Sequence, residues 1–241
     1  MKKRIYLLLL SFIIIFFSCK DNSAFVEQLF TDEQISQALG QCLKNAVDTT
    51  CNTLCIVDTS RTPEYGYTYY DAASYRIELP SGTKRVVDIL TEQGYKNQLD
   101  TLIVEINRAA EQCGNNITRF WTPVINNITF PNPNLILHGG NSAITDFVKE
   151  KQQSEFLSQL VSSILAEQFS ELKIITKWNE LQEIYYNITQ EYSSTDILTS
   201  TAQQMVAGFF KRMAIAEKAI RDDPNLRGNT NSLLYRVFAT L

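Results

Sequence analysis

The chain has 241 residues, 44% of them apolar, with 26 acidic and 22 basic side chains and a formal charge of −4. That length and apolar content suffice for one sizeable core. The acidic balance argues against nucleic acid and against an anionic lipid surface as partners, because neither attracts net negative charge.

Lys2, Lys3 and Arg4 precede an apolar run over 5–17, broken only by Ser11, and then come Ser18 and Cys19. The run is too short to span a bilayer comfortably, and a basic flank, an apolar centre and a small residue at the end are the layout of an export signal. With a cysteine next, the stretch resembles a bacterial lipoprotein signal peptide, although Phe16 stands where such signals usually carry an aliphatic residue. The resemblance implies a signal over 1–18, cleavage before Cys19, diacylglycerol on the Cys19 sulfur and an acylated new amine. An ordinary secretory signal is the alternative. Removing 18 residues and the charges of Lys2, Lys3 and Arg4 takes 241 residues at −4 to 223 at −7. The membrane is then a partner only through the lipid on Cys19; one acyl chain binds marginally and two or more hold firmly. The implied location is the cell envelope, at the outer membrane, on its periplasmic face or at the cell surface. Residues 19–30 read as a polar tether. Its Lys20-Asp21-Asn22 is similar to the segment that favours surface export in Bacteroidota lipoproteins, and a plain linker is the alternative.

From 31 to 241 the pattern predicts a single all-α domain of about eight amphipathic helices with one long irregular N-terminal loop. A helix starts at Thr31, with Gln34 completing a capping box and Ile35, Ala38, Leu39, Cys42, Leu43, Ala46 and Val47 on one stripe. Residues 48–74 are the irregular part. They hold Cys51, Cys55 and the tyrosines Tyr65, Tyr67, Tyr69 and Tyr70, with Tyr75 following; such rings can stack on sugars or bases but more often pack a loop onto the body. Residues 75–80 (YRIELP) read as extended. Ser81 caps a helix that Gly94 stops. In the central helix, Leu99, Leu102, Ile103, Ile106, Ala110 and Cys113 form one stripe of 3.6-residue period.

Pro123 predicts a break in the helical segment 117–129, with Trp121 packed beside it. Asn132-Pro133 opens a short helix ending at Gly139-Gly140, and Asn141 or Ser142 caps the next. Phe156 to Phe169 carry another stripe, 174–186 a further helix, and 196–221 the last long one, stopped by Pro224. Thr230 is the candidate cap of a final helix containing Leu233, Leu234, Val237 and Phe238.

The strings ELP (78–80), INRAAE (106–111), LHGG (137–140), FVKEK (147–151), FFKRMAIAEKAIRDDP (209–224) and LLYRVF (233–238) occur in order. They resemble DUF4197, a family of exported, mostly lipid-anchored bacterial proteins of unknown function, over about 33–238. The resemblance is most specific over 107–111 and 216–224. It implies a helical fold and export, and no reaction. Cys51, Cys55 and the tyrosine-rich stretch depart from the family pattern.

The candidate chemistry is sparse. Asn107 and Glu111 lie one turn apart at the border of the central stripe, with Arg108 on another face; together with Arg221 they are the candidate ligand-binding residues. The competing reading is a structural lock in which Glu111 pairs with Arg221 or Arg227. His138 with Ser142 could make a base and nucleophile, but Leu-His-Gly-Gly reads better as a helix C-terminus. Cys51 and Cys55 are the candidate disulfide, while Cys42 and Cys113 sit on apolar stripes as buried thiols. With one histidine and unusual cysteine spacing, no metal site is expected, and there is no catalytic set or cofactor motif. The Asn-x-Thr sequons at Asn116, Asn127 and Asn187 read as chance. The sequence therefore favours a non-enzymatic envelope protein that binds another envelope protein or a small ligand. A hydrolase or transferase centred on Glu111, and a scaffold, are the alternatives.

Overall fold

The first helix is longer than its stripe suggests. The computed structural model describes residues 30–55, 66–68 and 71–241, and in it α1 runs Asp32–Leu54. Thr50 and Thr53, poor helix formers, lie within it with their hydroxyls donating to Ala46 O (2.8 Å) and Thr49 O (2.7 Å). Cys51 therefore lies in a helix rather than in a loop. The signal at 1–18, Cys19 and the tether to 29 lie outside the described residues, as do Tyr65, Tyr69 and Tyr70.

The chain continues as α2 (Ala72–Tyr75), α3 (Lys84–Glu92), α4 (Lys96–Gln112), α5 (Gly114–Asn127) and α6 (Pro133–Leu137), then α7 (Ala143–Gln159), α8 (Leu165–Glu171), α9 (Ile174–Thr189), α10 (Ile197–Asp222) and α11 (Leu233–Phe238). Among the described residues all regular structure is helical, and Asp32–Leu241 forms one compact unit. α1 and α10 are its spine. α5 and α11 pack on α1, α7 packs on α10, and α3, α4, α8 and α9 group together.

Several boundaries differ from the sequence pattern for identifiable reasons. Ser81 opens a 3₁₀ turn (Ser81–Thr83) instead of capping α3. Ser232, not Thr230, caps α11, its hydroxyl accepting the Tyr235 N–H at 3.1 Å. Pro123 lies inside α5 without ending it. The proline costs the helix only the one bond its missing N–H would make to Arg119 O, and the flanking Thr122 hydroxyl and Asn127 amide donate to Thr118 O and Pro123 O, each at 2.8 Å. Asp196 caps α10, accepting from Leu198 N (3.0 Å) and Thr199 N (3.1 Å).

α7 and α8 are one rod rather than two separate helices, joined by a π-helical turn at Leu160–Ile164. The Cys113 sulfur, whose thiol donates to Ala109 O at 3.2 Å on its own helix, also lies 3.6 Å from Ile164 O at the end of this turn.

The centre of the core is aromatic. Trp121 is fully buried, stacked on Phe209 (centroids 5.6 Å, 8° between planes) and edge-on to Phe156 (5.5 Å). It ties α5 to α7 and α10. Trp121→Ala should destabilise the domain by about 3–5 kcal/mol, read as a lower urea midpoint with an unchanged slope.

Candidate functional site

Two ionic side chains lie deep in the molecule. Glu217 is fully buried and Arg221, one turn later on α10, is nearly so; Arg221 Nε donates to Glu217 Oε1 at 2.9 Å. Each also reads the end of another helix. Glu217 accepts from Ile144 N (3.0 Å) and from both the N–H and the hydroxyl of Thr145 (2.7 Å each), so it caps the N-terminus of α7 from outside. Arg221 donates to Leu137 O (2.7 Å) and Ile136 O (3.2 Å), the C-terminal carbonyls of α6. The signs are right for both helix dipoles: an anion at an N-terminus and a cation at a C-terminus. This explains why Ser142, at the cap position of α7, makes no cap hydrogen bond and turns its hydroxyl to Asp146 instead (2.8 Å).

Asn107 is fully buried on α4. Its Oδ1 accepts the Ile77 N–H (2.9 Å), and its Nδ2 donates to Ile77 O and Ile103 O (2.8 Å each). Gln204 on α10 treats Glu78 in the same way, accepting its N–H at 3.1 Å and donating to its carbonyl at 2.9 Å. Two side-chain amides thus replace the missing partner strand of the extended segment before Pro80.

Glu111, 6% exposed, accepts both the Thr68 N–H (2.9 Å) and the Thr68 hydroxyl (2.7 Å) on Oε1. Gly66 sits at φ +98°, and a Cβ there would lie 2.5 Å from that same oxygen, so only glycine fits. Between them, buried Tyr67 donates its hydroxyl to Met205 O at 3.3 Å. Burial pushes the Glu111 carboxyl above its ordinary range, against the Thr68 hydrogen bonds and the Arg108 charge, which pull it down.

Beside this turn, Cys51 and Cys55, the candidate disulfide, are buried free thiols one helical turn apart. Their side chains hydrogen-bond each other, which lowers the Cys51 thiol and, with burial, raises that of Cys55. Burial also pushes up Cys42, and it takes Cys113 to about 12. Cys42 and Cys113 are both fully buried.

The four candidate ligand-binding residues are thus divided rather than gathered. Asn107 and Glu111 hold two different stretches of the irregular segment, Arg108 is exposed, and Arg221 belongs to the α6–α7–α10 junction. Glu111 pairs with neither arginine named for it: Arg221 pairs with Glu217, and Arg227 donates to Ile220 O (3.0 Å) and Arg221 O (2.5 Å) at the end of α10. His138 is an exposed C-cap of α6, followed by Gly140 at φ +102°.

Open space lies elsewhere. One groove of about 440 Å³ runs between α4 and α9, lined by Gln98, Leu102, Glu105, Lys177 and Leu181. Another, of about 450 Å³, flanks α9 and the chain after it. None of the four candidates lines either groove. Among the described residues no group of three His, Cys, Asp or Glu side chains is placed to hold a metal ion.

Sequence reasoning passed over Glu217, and the signal was there. Met213, Ala216, Glu217 and Ile220 share one stripe, so a carboxylate falls on a buried face and needs a partner four residues on.

The architecture defines an all-α domain fastened by buried polar side chains that hold backbone ends. The chain matches the family described as "Protein of unknown function (DUF4197)" over residues 29–239 and belongs to it. No curated protein and no solved structure matches. Among the described residues no helix is long and apolar enough to cross a membrane.

Removing either member of the buried pair leaves an uncompensated charge and one uncapped helix end: the start of α7 without Glu217, the end of α6 without Arg221. Glu217→Ala and Arg221→Ala should each cost about 3–5 kcal/mol, and the double variant less than their sum, by urea denaturation of all four proteins.

Glu111 should make stability pH-dependent. Its folded value is raised above the ordinary 4.5, so its contribution is complete below pH 4.5 and is lost as pH rises through the raised value. Glu111→Gln keeps an acceptor for Thr68 and has no proton to lose. The variant should therefore gain stability relative to the parent between pH 4.5 and neutrality. A difference independent of pH would show that Glu111 titrates alike in the folded and unfolded chains.

Proposed function

We propose that the protein is a lipid-anchored cell-envelope protein whose helical domain binds a partner or small ligand and does not catalyse a reaction. The observation that carries the binding reading is how the interior polar groups are used. Glu111, Asn107, Glu217 and Arg221 each spend their hydrogen bonds on the chain's own backbone or on each other. A catalytic carboxylate needs access to substrate. Glu111 is nearly sealed, and its neighbours are the turn it holds. This weakens the ground for a hydrolase or transferase built on Glu111, Arg108 and Arg221. The anchoring reading rests on the sequence of the first nineteen residues, where a basic flank and an apolar run end in Ser18-Cys19.

Expression of the full chain in a bacterial host with radiolabelled palmitate tests the anchor. The parent should incorporate label and sediment with the outer membrane, whereas Cys19→Ala should lose the label. A parent that stays unlabelled overturns the anchor. Turnover of an envelope substrate by the purified protein, abolished in Glu111→Gln with the fold intact, would overturn the binding reading.

A further inference from the structure

The second groove carries more chemistry than its surroundings. α9 ends at Thr189, Gln190 turns the chain in a left-handed conformation (φ 61°), and residues 191–196 run back beside the helix. The Gln182 amide holds this return at Ser193, donating to its carbonyl at 3.2 Å and accepting its N–H at 3.4 Å. The result sets Tyr192 flat against Tyr186, with centroids 4.3 Å apart and planes 12° apart. Tyr192 is nonetheless 61% exposed. One ring face is covered by Tyr186 and the other is presented to solvent. Its hydroxyl donates to Glu183 Oε1 at 3.4 Å, which fixes the ring's direction.

Along the same groove stand Asn179 and Ser194, both exposed, together with exposed Ile175 and the edge of buried Trp178. No Lys, Arg or His side chain lines it, and its charged members, Glu183 and Asp196, are acidic. Asp196 is spent on capping α10. A phosphate or carboxylate would find no counter-charge here. An apolar ligand would leave the amide, hydroxyl and carboxylate without partners. A stacking face beside amide, hydroxyl and carboxylate groups matches a molecule with an apolar C–H face and a rim of hydroxyls.

We infer that the groove between α9 and residues 191–196 is a binding site for a neutral saccharide. A sugar ring lies on the free face of Tyr192, and its hydroxyls are held by Asn179, Ser194 and the free oxygen of Glu183. The site deepens the binding reading above and rests on it. It does not depend on the anchor, so the two fail separately: the palmitate experiment reads only Cys19, and the following one reads only the groove.

The test uses the full chain, purified in a detergent with a non-saccharide head group, and titration calorimetry. Maltotriose and tri-N-acetylchitotriose are the neutral probes; 3′-sialyllactose and trilysine are the anionic and cationic ones. At least one neutral trisaccharide should bind. Tyr192→Ala should weaken it about tenfold or more, since a stacking contact of this kind is worth about that factor. Tyr192→Phe, which keeps the face, should stay within about threefold of the parent. Asn179→Ala, an exposed change that leaves the stack intact, should also weaken binding and decides the matter if Tyr192→Ala lowers the melting temperature. The inference is overturned if neither neutral probe binds at about 10 mM, if both alanine variants bind like the parent, or if trilysine or sialyllactose binds more tightly.

Discussion

The buried pair of Glu217 and Arg221 is the interaction on which the rest of the arrangement depends. Two charges placed in a low-dielectric interior are costly, and their mutual attraction seldom repays the loss of water. Here each is also bonded to unsatisfied backbone at a helix end, so the desolvated charge finds the partial charge it lacks. The pair lies on α10, half of the spine, and its reach fixes where α6 stops and where α7 begins. Without it the Leu-His-Gly-Gly turn would leave the Leu137 carbonyl without a donor, since the Gly139 N–H goes to Ile136 O (3.2 Å).

The same device recurs at smaller scale. Asn107 and Gln204 stand in for a neighbouring strand at Ile77 and Glu78, and Glu111 stands in for a turn partner at Thr68. In each case a helix offers a side chain to a piece of chain that cannot pair with itself. The two strings that carry the family resemblance, 107–111 and 216–224, hold most of these side chains. Their polarity belongs to the assembly of the fold, since each of these side chains holds backbone or a charge partner inside the domain.

Helix positions were legible because burial follows a 3.6-residue stripe: every stripe residue of α1 from Ile35 to Val47 is buried, and Leu99, Leu102, Ile106 and Ala110 mark the inner face of α4. Boundaries were less so, since they depend on distant partners. Ser142 looks like a cap by type, yet the capping oxygens come from Glu217, seventy-odd positions away in the chain. Residues 48–54 read as irregular, yet α1 runs on through them to Leu54, with Thr50, Cys51, Thr53 and Leu54 buried. The grouping of Asn107, Glu111 and Arg221 failed for a related reason. Spacing along one helix shows which residues share a face, but not which piece of chain that face meets. The stacked Tyr186 and Tyr192 could not be read at all, because the left-handed turn at Gln190 that brings them together has no glycine to announce it.

The π turn at Leu160–Ile164 has a consequence for how this chain can vary. Such a turn holds one residue more than the α-helical repeat, so the rod is out of phase with itself. α7, the π turn and α8 all pack against α10, and α8 also meets α4 and α9. Loss of a single residue within the turn would let it close to the α-helical repeat with Leu165 and Phe169 still on the buried face, whereas a loss from the α-helical part of the rod would rotate α8 by about 100° about its axis and carry them out of their sockets. Substitutions in this stretch are a matter of side-chain fit, whereas its length is a matter of phase for half of the molecule. Among related chains, insertions and deletions should therefore collect in the segment between α1 and α2 and be excluded from the α-helical parts of the α7–α8 rod.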